Sequence, residues 1–250
     1  MKNAVVIGAS QGLGRYLATR LAEVGWEVTG IGRRPSEDVG RVLNFEYVQA
    51  DLSDTATLDL LSGLLGEKRP DLIVHNAVTY GELRKPDPTL NDLEALFRVN
   101  TLLPYSLLLG YLSTIPQDEF TSCIVVNSDS IYHANRHSGV YAASKAALRV
   151  LTTALADVCQ SRNASVSTLL LGPLADEKKI DEFRRIAERK GVSEEEIMRL
   201  FLKKSNPSFV IDSLIDLEPC FQSILYIANL GRVANGMLCK LDGGSSGSLV

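Results

Sequence analysis

A tyrosine and a lysine four residues apart are the side chains of this sequence best suited to proton transfer. Tyr141 and Lys145 stand at the two ends of the run Tyr-Ala-Ala-Ser-Lys, and on a helix this spacing puts them on one face. The unperturbed pKa of a tyrosine is about 10, and a nearby ammonium lowers that pKa by stabilising the phenolate. The pair therefore predicts a tyrosine that exchanges a proton near neutral pH. A tyrosine packed by its apolar side beside an exposed lysine is the alternative, because so short a motif also occurs by chance.

The N-terminal residues predict an element that binds the phosphates of a dinucleotide. The apolar run Ala4–Ile7 indicates a buried strand, and residues 8–14 read Gly-Ala-Ser-Gln-Gly-Leu-Gly. An amphipathic helix follows, and residues 25–32 supply a turn and a second strand. Glycines in such a strand–loop–helix unit let backbone N–H groups approach a pyrophosphate. A tight turn without a ligand is the alternative.

The end of the second strand favours one of the two nicotinamide dinucleotides. An acidic residue there hydrogen-bonds the ribose 2′-hydroxyl of NAD(H), but this chain reads Gly32-Arg33-Arg34. A guanidinium can instead bind a 2′-phosphate through charge-assisted hydrogen bonds. The missing acid and the presence of Arg33 both favour NADP(H) over NAD(H), and an exposed pair of surface arginines is the alternative.

Strands alternate with helices along the rest of the chain. Further strands are predicted at residues 44–50, 71–75, 124–127 and 166–170, and helices at about 54–66, 90–113 and 140–161. This alternation predicts an α/β fold with a doubly wound parallel sheet, a Rossmann fold of three α/β/α layers. Ligands of such sheets bind beyond the carboxyl ends of the strands. The polar or glycine positions at those ends are Gly8, Arg33, Asp51, Asn76, Ser128 and Gly172.

Composition argues against several other classes of protein. The 250 residues are 45% hydrophobic and 22% charged, which is ordinary for a globular protein. The net charge of −4 and the lack of a long Lys/Arg block argue against nucleic-acid binding. No segment approaches the roughly 20 apolar residues that cross a bilayer, and the N-terminus does not resemble a signal peptide. Four widely spaced cysteines have no metal-ligand spacing and predict free, mostly buried thiols. We therefore expect a cytoplasmic protein without a nucleic-acid, membrane or metal partner.

Several motifs together resemble the short-chain dehydrogenase/reductase family in its single-domain form. The loop at residues 8–14 resembles the family's TGxxxGxG, with Ile7 in place of the threonine. Residues 75–78, His-Asn-Ala-Val, resemble NNAG with histidine first and valine last. The resemblance covers essentially the whole chain, from Val5 to the Asp-Gly-Gly at residues 242–244. It implies one domain over residues 1–250.

The resemblance also implies a catalytic tetrad of Asn100, Ser128, Tyr141 and Lys145. Ser128 lies 13 positions before Tyr141, which is the spacing expected of the family's catalytic serine. Tyr141 would donate a proton to a substrate carbonyl oxygen, and Ser128 would orient that oxygen. Lys145 would lower the pKa of Tyr141 and bind the nicotinamide ribose. Asn100 would hold a water that links the lysine to solvent.

The cofactor contacts implied by the resemblance lie mostly at strand ends. They are Gly8, Ser10, Gln11, Gly12, Leu13, Gly14, Arg33, Asp51, Leu52, Asn76, Ala77, Tyr141, Lys145, Gly172 and Leu174. Two departures affect this set. Leu171 replaces a proline of the family pattern, and Asp176 falls near its usual threonine. Because a carboxylate would repel a pyrophosphate, we expect the Asp176 side chain to turn away or the loop to sit differently.

The implied function is an NADPH-dependent oxidoreductase that reduces a ketone or aldehyde carbonyl of a small polar substrate, or catalyses the reverse reaction. A dinucleotide-binding sensor or scaffold, or a non-redox relative, is the alternative. The loop at residues 129–137, which includes His133 and His137, is unusually polar. It favours a polar or hydroxylated substrate, and a solvated loop is the alternative.

Two further expectations concern a covering segment and assembly. Residues 176–204 are longer and more charged than a connection needs, and the second of their two helical patterns opens with a capping box at residues 193–196. This insertion is expected to cover the substrate as a mobile lid, with a rigid helical pair or a subunit contact as alternatives. The helix at residues 140–158 is apolar on more than one face, and the resemblance implies a homodimer or homotetramer.

Overall fold

The computed structural model describes residues 2–39, 44–81, 88–134 and 138–247. Their strands form a parallel sheet in the order β3-β2-β1-β4-β5-β6-β7. The strands are β1 (Asn3–Ile7), β2 (Glu27–Gly32), β3 (Glu46–Gln49), β4 (Leu72–His75), β5 (Thr121–Ser128), β6 (Ala164–Leu171) and β7 (Leu238–Leu241). The α-helices are α1 (Gly12–Glu23), α2 (Ser36–Val39), α3 (Thr57–Lys68), α4 (Leu90–Phe97), α5 (Leu103–Thr114), α6 (Gly139–Val158), α7 (Glu177–Lys190), α8 (Glu194–Ser205) and α9 (Leu217–Asn229).

Apolar residues cover both faces of the sheet, as the uninterrupted apolar strands predict. In β1, Val5 and Ile7 belong to one buried cluster, whereas Ala4 and Val6 belong to another. Successive side chains of a strand point to opposite faces, so the two clusters lie on opposite sides of the sheet. The predicted three-layer, doubly wound α/β fold is confirmed. Successive strands are added on one side of β1 up to β3 and on its other side from β4 to β7. This change in strand order, between the neighbours β1 and β4, opens a crevice at the carboxyl ends of the strands.

The segment predicted as one helix at residues 90–113 is interrupted. Between α4 and α5, residues Arg98–Leu102 form a π-helical turn that contains Asn100. Pro104 stands in the first turn of α5, and a proline has no N–H to donate to the carbonyl four residues earlier. The backbone carbonyl of Asn100 therefore cannot accept the ordinary α-helical hydrogen bond.

The segment at residues 176–204 folds as a helical pair with a small core of its own. Phe183, Ile197 and Leu202 are buried in a third apolar cluster, separate from the two that cover the sheet. The Ser193 hydroxyl accepts a hydrogen bond from the backbone N–H of Glu196 at 3.2 Å, which is one half of the predicted capping box.

Three further findings concern helix length, the thiols and the limits of the strand predictions. Among the residues that the structure describes, no helix is long and apolar enough to cross a membrane. All four cysteines are free, and Cys123, Cys159 and Cys220 are buried. The observed third strand, β3, is shorter than the strand predicted at residues 44–50. The sequence did not predict β7 or α9.

Candidate active site

The predicted catalytic tyrosine, lysine and serine meet where β5 ends and α6 begins. Tyr141 and Lys145 lie in the first two turns of α6 and are only 8% and 3% exposed. Ser128 is the last residue of β5, and its hydroxyl lies within hydrogen-bonding reach of the Tyr141 hydroxyl. The helix buries this face because Leu148, Thr152 and Leu155 continue it towards the core.

The pKa of Tyr141 moves in the direction opposite to the prediction. Burial, reinforced by the neighbouring Tyr80, raises that pKa well above its usual value, and the hydrogen bond with Ser128 opposes the rise only in part. The Lys145 ammonium donates to the backbone carbonyl of Val126 at 3.1 Å. Because a buried phenol loses the hydration that would stabilise its anion, Tyr141 is protonated at neutral pH, and the expected lowering of its pKa by Lys145 is wrong.

Burial also acts on the lysine. The pKa of Lys145 is lowered to about 8 because its ammonium is desolvated. An ammonium has three N–H donors, and within the described part of the chain it uses one, on Val126. The remaining donors suit hydroxyl groups such as those of a ribose.

Asn100 connects two parts of the site. Its side-chain amide donates to the Thr79 carbonyl at 2.8 Å and to the Ser144 hydroxyl at 3.1 Å, and its side-chain oxygen accepts from the Thr79 N–H at 2.9 Å. These bonds tie the segment after β4 to α6, next to Lys145. The water link to Lys145 stays a prediction.

The glycine loop fits the phosphates of a dinucleotide. Gly8 has a φ of +97°, and a Cβ there would lie 2.6 Å from Ala77. A Cβ on Gly14 would lie 2.0 Å from the Gly8 carbonyl oxygen. Helix α1 begins at Gly12 without a side-chain cap from Gln11 and without an acidic residue in its first turn. Such a helix start leaves N–H groups and a positive dipole end for an anion.

The end of β2 presents an exposed arginine and leaves little space for an acidic side chain. Arg33 is exposed, and its guanidinium makes no hydrogen bond to the residues that the structure describes, whereas Arg34 donates to the Gln11 side chain at 2.5 Å. A Cβ on Gly32 would approach the Tyr47 hydroxyl to 2.6 Å. An aspartate at position 32 would therefore have to displace Tyr47.

The other predicted cofactor contacts lie along the same edge of the sheet. Ser10, Gln11 and Leu13 belong to the loop and helix start after β1; Asp51 and Leu52 follow β3, Asn76 and Ala77 follow β4, and Gly172 and Leu174 follow β6. Asp176 lies near Gly12, but its carboxylate caps α7 by accepting from the Lys179 N–H at 2.9 Å. The expectation that this side chain turns away from the phosphate site agrees with that bond.

Sequence reasoning missed Tyr80 beside Tyr141, and it gave Asp129 no role beyond that of the polar loop at residues 129–137. The Tyr80 ring stacks on the Tyr141 ring with 4.7 Å between centroids. Asp129 accepts a 2.5 Å hydrogen bond from the Ser245 hydroxyl, and burial raises the pKa of its carboxyl above the usual value. Tyr80 follows the Asn-Ala pair closely enough to have been suspected, whereas no sequence signal links Ser245 to residue 129.

Of the polar loop, residues 135–137, which include His137, lie outside the described residues. His133 Nε2 lies 2.7 Å from the Ser245 carbonyl oxygen, to which it can only donate, and 2.7 Å from the Asn206 amide nitrogen, from which it can only accept. The tautomer of His133 therefore decides which of the two hydrogen bonds forms.

Comparisons with known proteins agree on one family. The family model described as short chain dehydrogenase matches residues 2–183. The uncharacterized oxidoreductase YvaG of Bacillus subtilis is 24% identical over 252 residues, which span 97% of this chain and 95% of YvaG. L-sorbose reductase from Gluconobacter frateurii, in complex with NADPH and L-sorbose, superposes with a TM-score of 0.85 at 17% identity, covering 99% of this chain and 97% of that one. 4-Hydroxyisoleucine dehydrogenase in complex with NADH gives a TM-score of 0.78 at 18% identity, covering 98% and 99%.

Proposed function

Since the chain belongs to the short-chain dehydrogenase/reductase family, we propose that it uses NADPH to reduce the ketone or aldehyde carbonyl of a small polar substrate, or catalyses the reverse reaction. Membership of the family makes the protein an NAD(P)-dependent oxidoreductase. The finer assignment depends on one observation: a protonated, buried Tyr141 lies beside the Ser128 hydroxyl at the carboxyl edge of a doubly wound sheet.

A nicotinamide dinucleotide held by the glycine loop, Arg33 and Lys145 would supply the hydride that reduces the carbonyl carbon. The Ser128 hydroxyl donates a hydrogen bond to the carbonyl oxygen and orients it, which also stabilises the negative charge that develops there. Tyr141 gives its phenolic proton to the same oxygen, so that the product is a neutral alcohol. The Lys145 ammonium, four residues away on the same helix, compensates the charge left on the tyrosine. Asn100 holds the segment after β4 against α6 and so keeps this arrangement in place.

Support for NADPH comes from the end of β2. Arg33 is free to bind a phosphate, and Tyr47 occupies the space that an acid at position 32 would need. The structural neighbours do not decide the matter, because one is a complex with NADPH and another a complex with NADH. The preference therefore rests on this chain's own residues.

Support for a polar substrate comes from the hydroxyl and carboxylate groups around Ser128. Ser130 donates to the Ser128 hydroxyl at 2.8 Å, and Asp129 lies beside both. One structural neighbour holds L-sorbose, a hydroxylated molecule. We also propose that the chain is one domain whose segment at residues 176–204 covers the substrate, and that it works in the cytoplasm as a homo-oligomer.

The test is to follow NADPH absorbance with a panel of ketones, aldehydes and quinones, using the wild-type protein and Tyr141→Phe in parallel. We expect turnover of polar carbonyl compounds that the substitution abolishes. Tight binding of NADPH without turnover of any compound would favour the dinucleotide-binding sensor or scaffold instead.

A further inference from the structure

The carboxylate of Asp129 lies next to the hydroxyl that is assigned to the substrate carbonyl. Its Oδ1 is 3.4 Å from the Ser128 Oγ, and its negative charge also reaches the hydroxyls of Tyr141 and Tyr80. Asp129 is therefore a neighbour of the reacting atoms as well as of the serine in sequence.

Residues from two distant parts of the chain fix the orientation of this carboxylate. The Ser245 hydroxyl, in a side chain that is only 1% exposed, donates to Asp129 Oδ2 at 2.5 Å. The Asn206 side chain, just after α8, donates to the Ser245 carbonyl at 2.7 Å and to its Oγ at 3.0 Å. Ser245 thus holds the Oδ2 atom of Asp129, and the Oδ1 atom lies on the side of Ser128.

The second oxygen of Asp129 has unused capacity to accept hydrogen bonds. A carboxylate offers about four lone-pair sites, and Oδ1 receives one long bond, from Ser128. Because a hydroxyl has a single proton, Ser128 would give up this bond when it donates to the substrate carbonyl, and Oδ1 would then need a new donor. Among the described residues, no lysine or arginine forms an ion pair with Asp129. A partly buried carboxylate in this state is stabilised by any donor that a ligand brings.

We propose that Asp129 determines specificity by accepting a hydrogen bond from a hydroxyl group on the carbon next to the reacting carbonyl. The substrate is then an α-hydroxy ketone or α-hydroxy aldehyde, and the product is a vicinal diol. The inference rests on the proposed function, because Ser128 must hold the carbonyl oxygen. The two oxygens of such a substrate are about 3 Å apart, close to a hydrogen-bond length, and the two groups that would hold them, Ser128 Oγ and Asp129 Oδ1, are 3.4 Å apart.

Two matched ketones test the proposal. 1-Hydroxy-2-propanone and 1-methoxy-2-propanone carry the same carbonyl, but the ether has no proton to donate. A hydrogen bond to a charged group discriminates by roughly 10- to 100-fold, so the wild-type kcat/KM for the hydroxy ketone should exceed that for the ether by about this factor. In Asp129→Asn, Ser245 keeps the amide oxygen as its acceptor, and the amide nitrogen can only donate. The preference should fall to about threefold or less, or reverse.

Two further variants separate this role from a structural one. Asp118→Asn removes an exposed carboxylate elsewhere and should keep the full preference for the hydroxy ketone. Ser245→Ala removes the anchor but leaves the acceptor, so its preference should fall less than that of Asp129→Asn. If Asp129→Asn keeps the wild-type preference, Asp129 only anchors Ser245, and the proposal is wrong. A wild-type preference for protonated aminoacetone over the hydroxy ketone would also overturn it, because the recognised donor would then be an ammonium.

Binding measured without turnover distinguishes failure of this inference from failure of the proposed function. Saturation-transfer NMR should detect 1,2-propanediol more strongly than 1-methoxy-2-propanol on the wild-type protein, and the difference should vanish in Asp129→Asn. That result together with no NADPH oxidation on any carbonyl compound would refute the proposed reduction and support the hydroxyl site. Turnover of both ketones at equal kcat/KM, with equal binding of the two alcohols, would refute the hydroxyl site alone.

Discussion

Tyr141 and Lys145 are buried together, and burial shifts their pKa values in opposite directions. The pKa of the phenol rises well above its usual value, and that of the ammonium falls to about 8. Both shifts disfavour the charged form. At neutral pH the tyrosine therefore carries its proton while most of the lysine is still charged. This is the state in which Tyr141 can donate a proton to a carbonyl oxygen.

Tyr141→Phe should remove proton donation and leave the fold intact. Loss of a general acid costs on the order of 100- to 10,000-fold in turnover, and the melting temperature should change little because the ring still fills its site. Tyr226→Phe, on an exposed position of α9, is the matched control and should be fully active. Turnover is measured by NADPH absorbance with the best substrate of the panel, and near-normal turnover by Tyr141→Phe would show that another group supplies the proton.

Arg33→Ala should weaken NADPH binding far more than NADH binding. A charge-assisted hydrogen bond discriminates by roughly 10- to 100-fold, and only NADPH carries the phosphate that Arg33 would contact. Arg189→Ala, which removes an exposed arginine in the last turn of α7, controls for the change in net charge. Titration of both cofactors against the three proteins decides the point. An equal loss for the two cofactors, or a wild-type preference for NADH, would contradict the assignment of Arg33.

At the level of elements, the sequence predicted what depends on local pattern. Apolar runs located six strands, and the parallel sheet then required residues as distant as Gly8, Asn76 and Ser128 to share one edge. Strand β7 was not predicted from the sequence. It is only four residues long and half-buried throughout, so its sequence shows neither an alternation of apolar and polar residues nor an apolar run. The π turn depends on Pro104, which is a single residue inside an otherwise helical pattern.

Burial and long-range contacts are the properties of the candidate site that the sequence did not predict. The spacing of Tyr141 and Lys145 says that they share a helix face, but the direction of the pKa shift depends on how deeply that face is covered. Similarly, Asp129 and Ser245 are 116 positions apart, and only the folded chain brings them together. The four residues assigned to the tetrad were named from the resemblance to a family, and their catalytic roles stay predictions.

The helical pair α7–α8 should move as one unit over the site. Phe183 and Phe201 pack at 5.1 Å between ring centroids, and this cluster is separate from the two cores of the sheet. The pair can therefore shift without unfolding, and closure would exclude water from the reacting atoms. We expect amide exchange across residues 176–204 to slow when NADPH and substrate bind.

Amide exchange in β5 provides the internal reference for this experiment, because that strand is buried almost throughout and should be protected in both states. Strong protection of residues 176–204 without ligand, unchanged when NADPH and substrate are added, would establish the rigid helical pair and exclude the lid.

At the level of the whole molecule, apolar side chains remain exposed on the helices beside the site. Val150 on α6 is 70% exposed, and Leu102 at the end of the π turn is 55% exposed. Helices α5 and α6 pack side by side, so a second copy related by a two-fold axis could cover both positions with the same surface. This arrangement would bury apolar area that the single chain leaves in water.

Sedimentation at micromolar concentration should therefore give a dimer or tetramer of the 27.2 kDa chain. Val150→Glu should shift the distribution towards monomer, because association would bury a carboxylate without a partner. Val24→Glu introduces the same charge at the end of α1, where the valine is 49% exposed, and should leave the assembly unchanged. A wild-type protein that sediments as a single monomer would contradict the predicted oligomer. Equal dissociation by both variants would mean that net charge, and not the α6 surface, controls association.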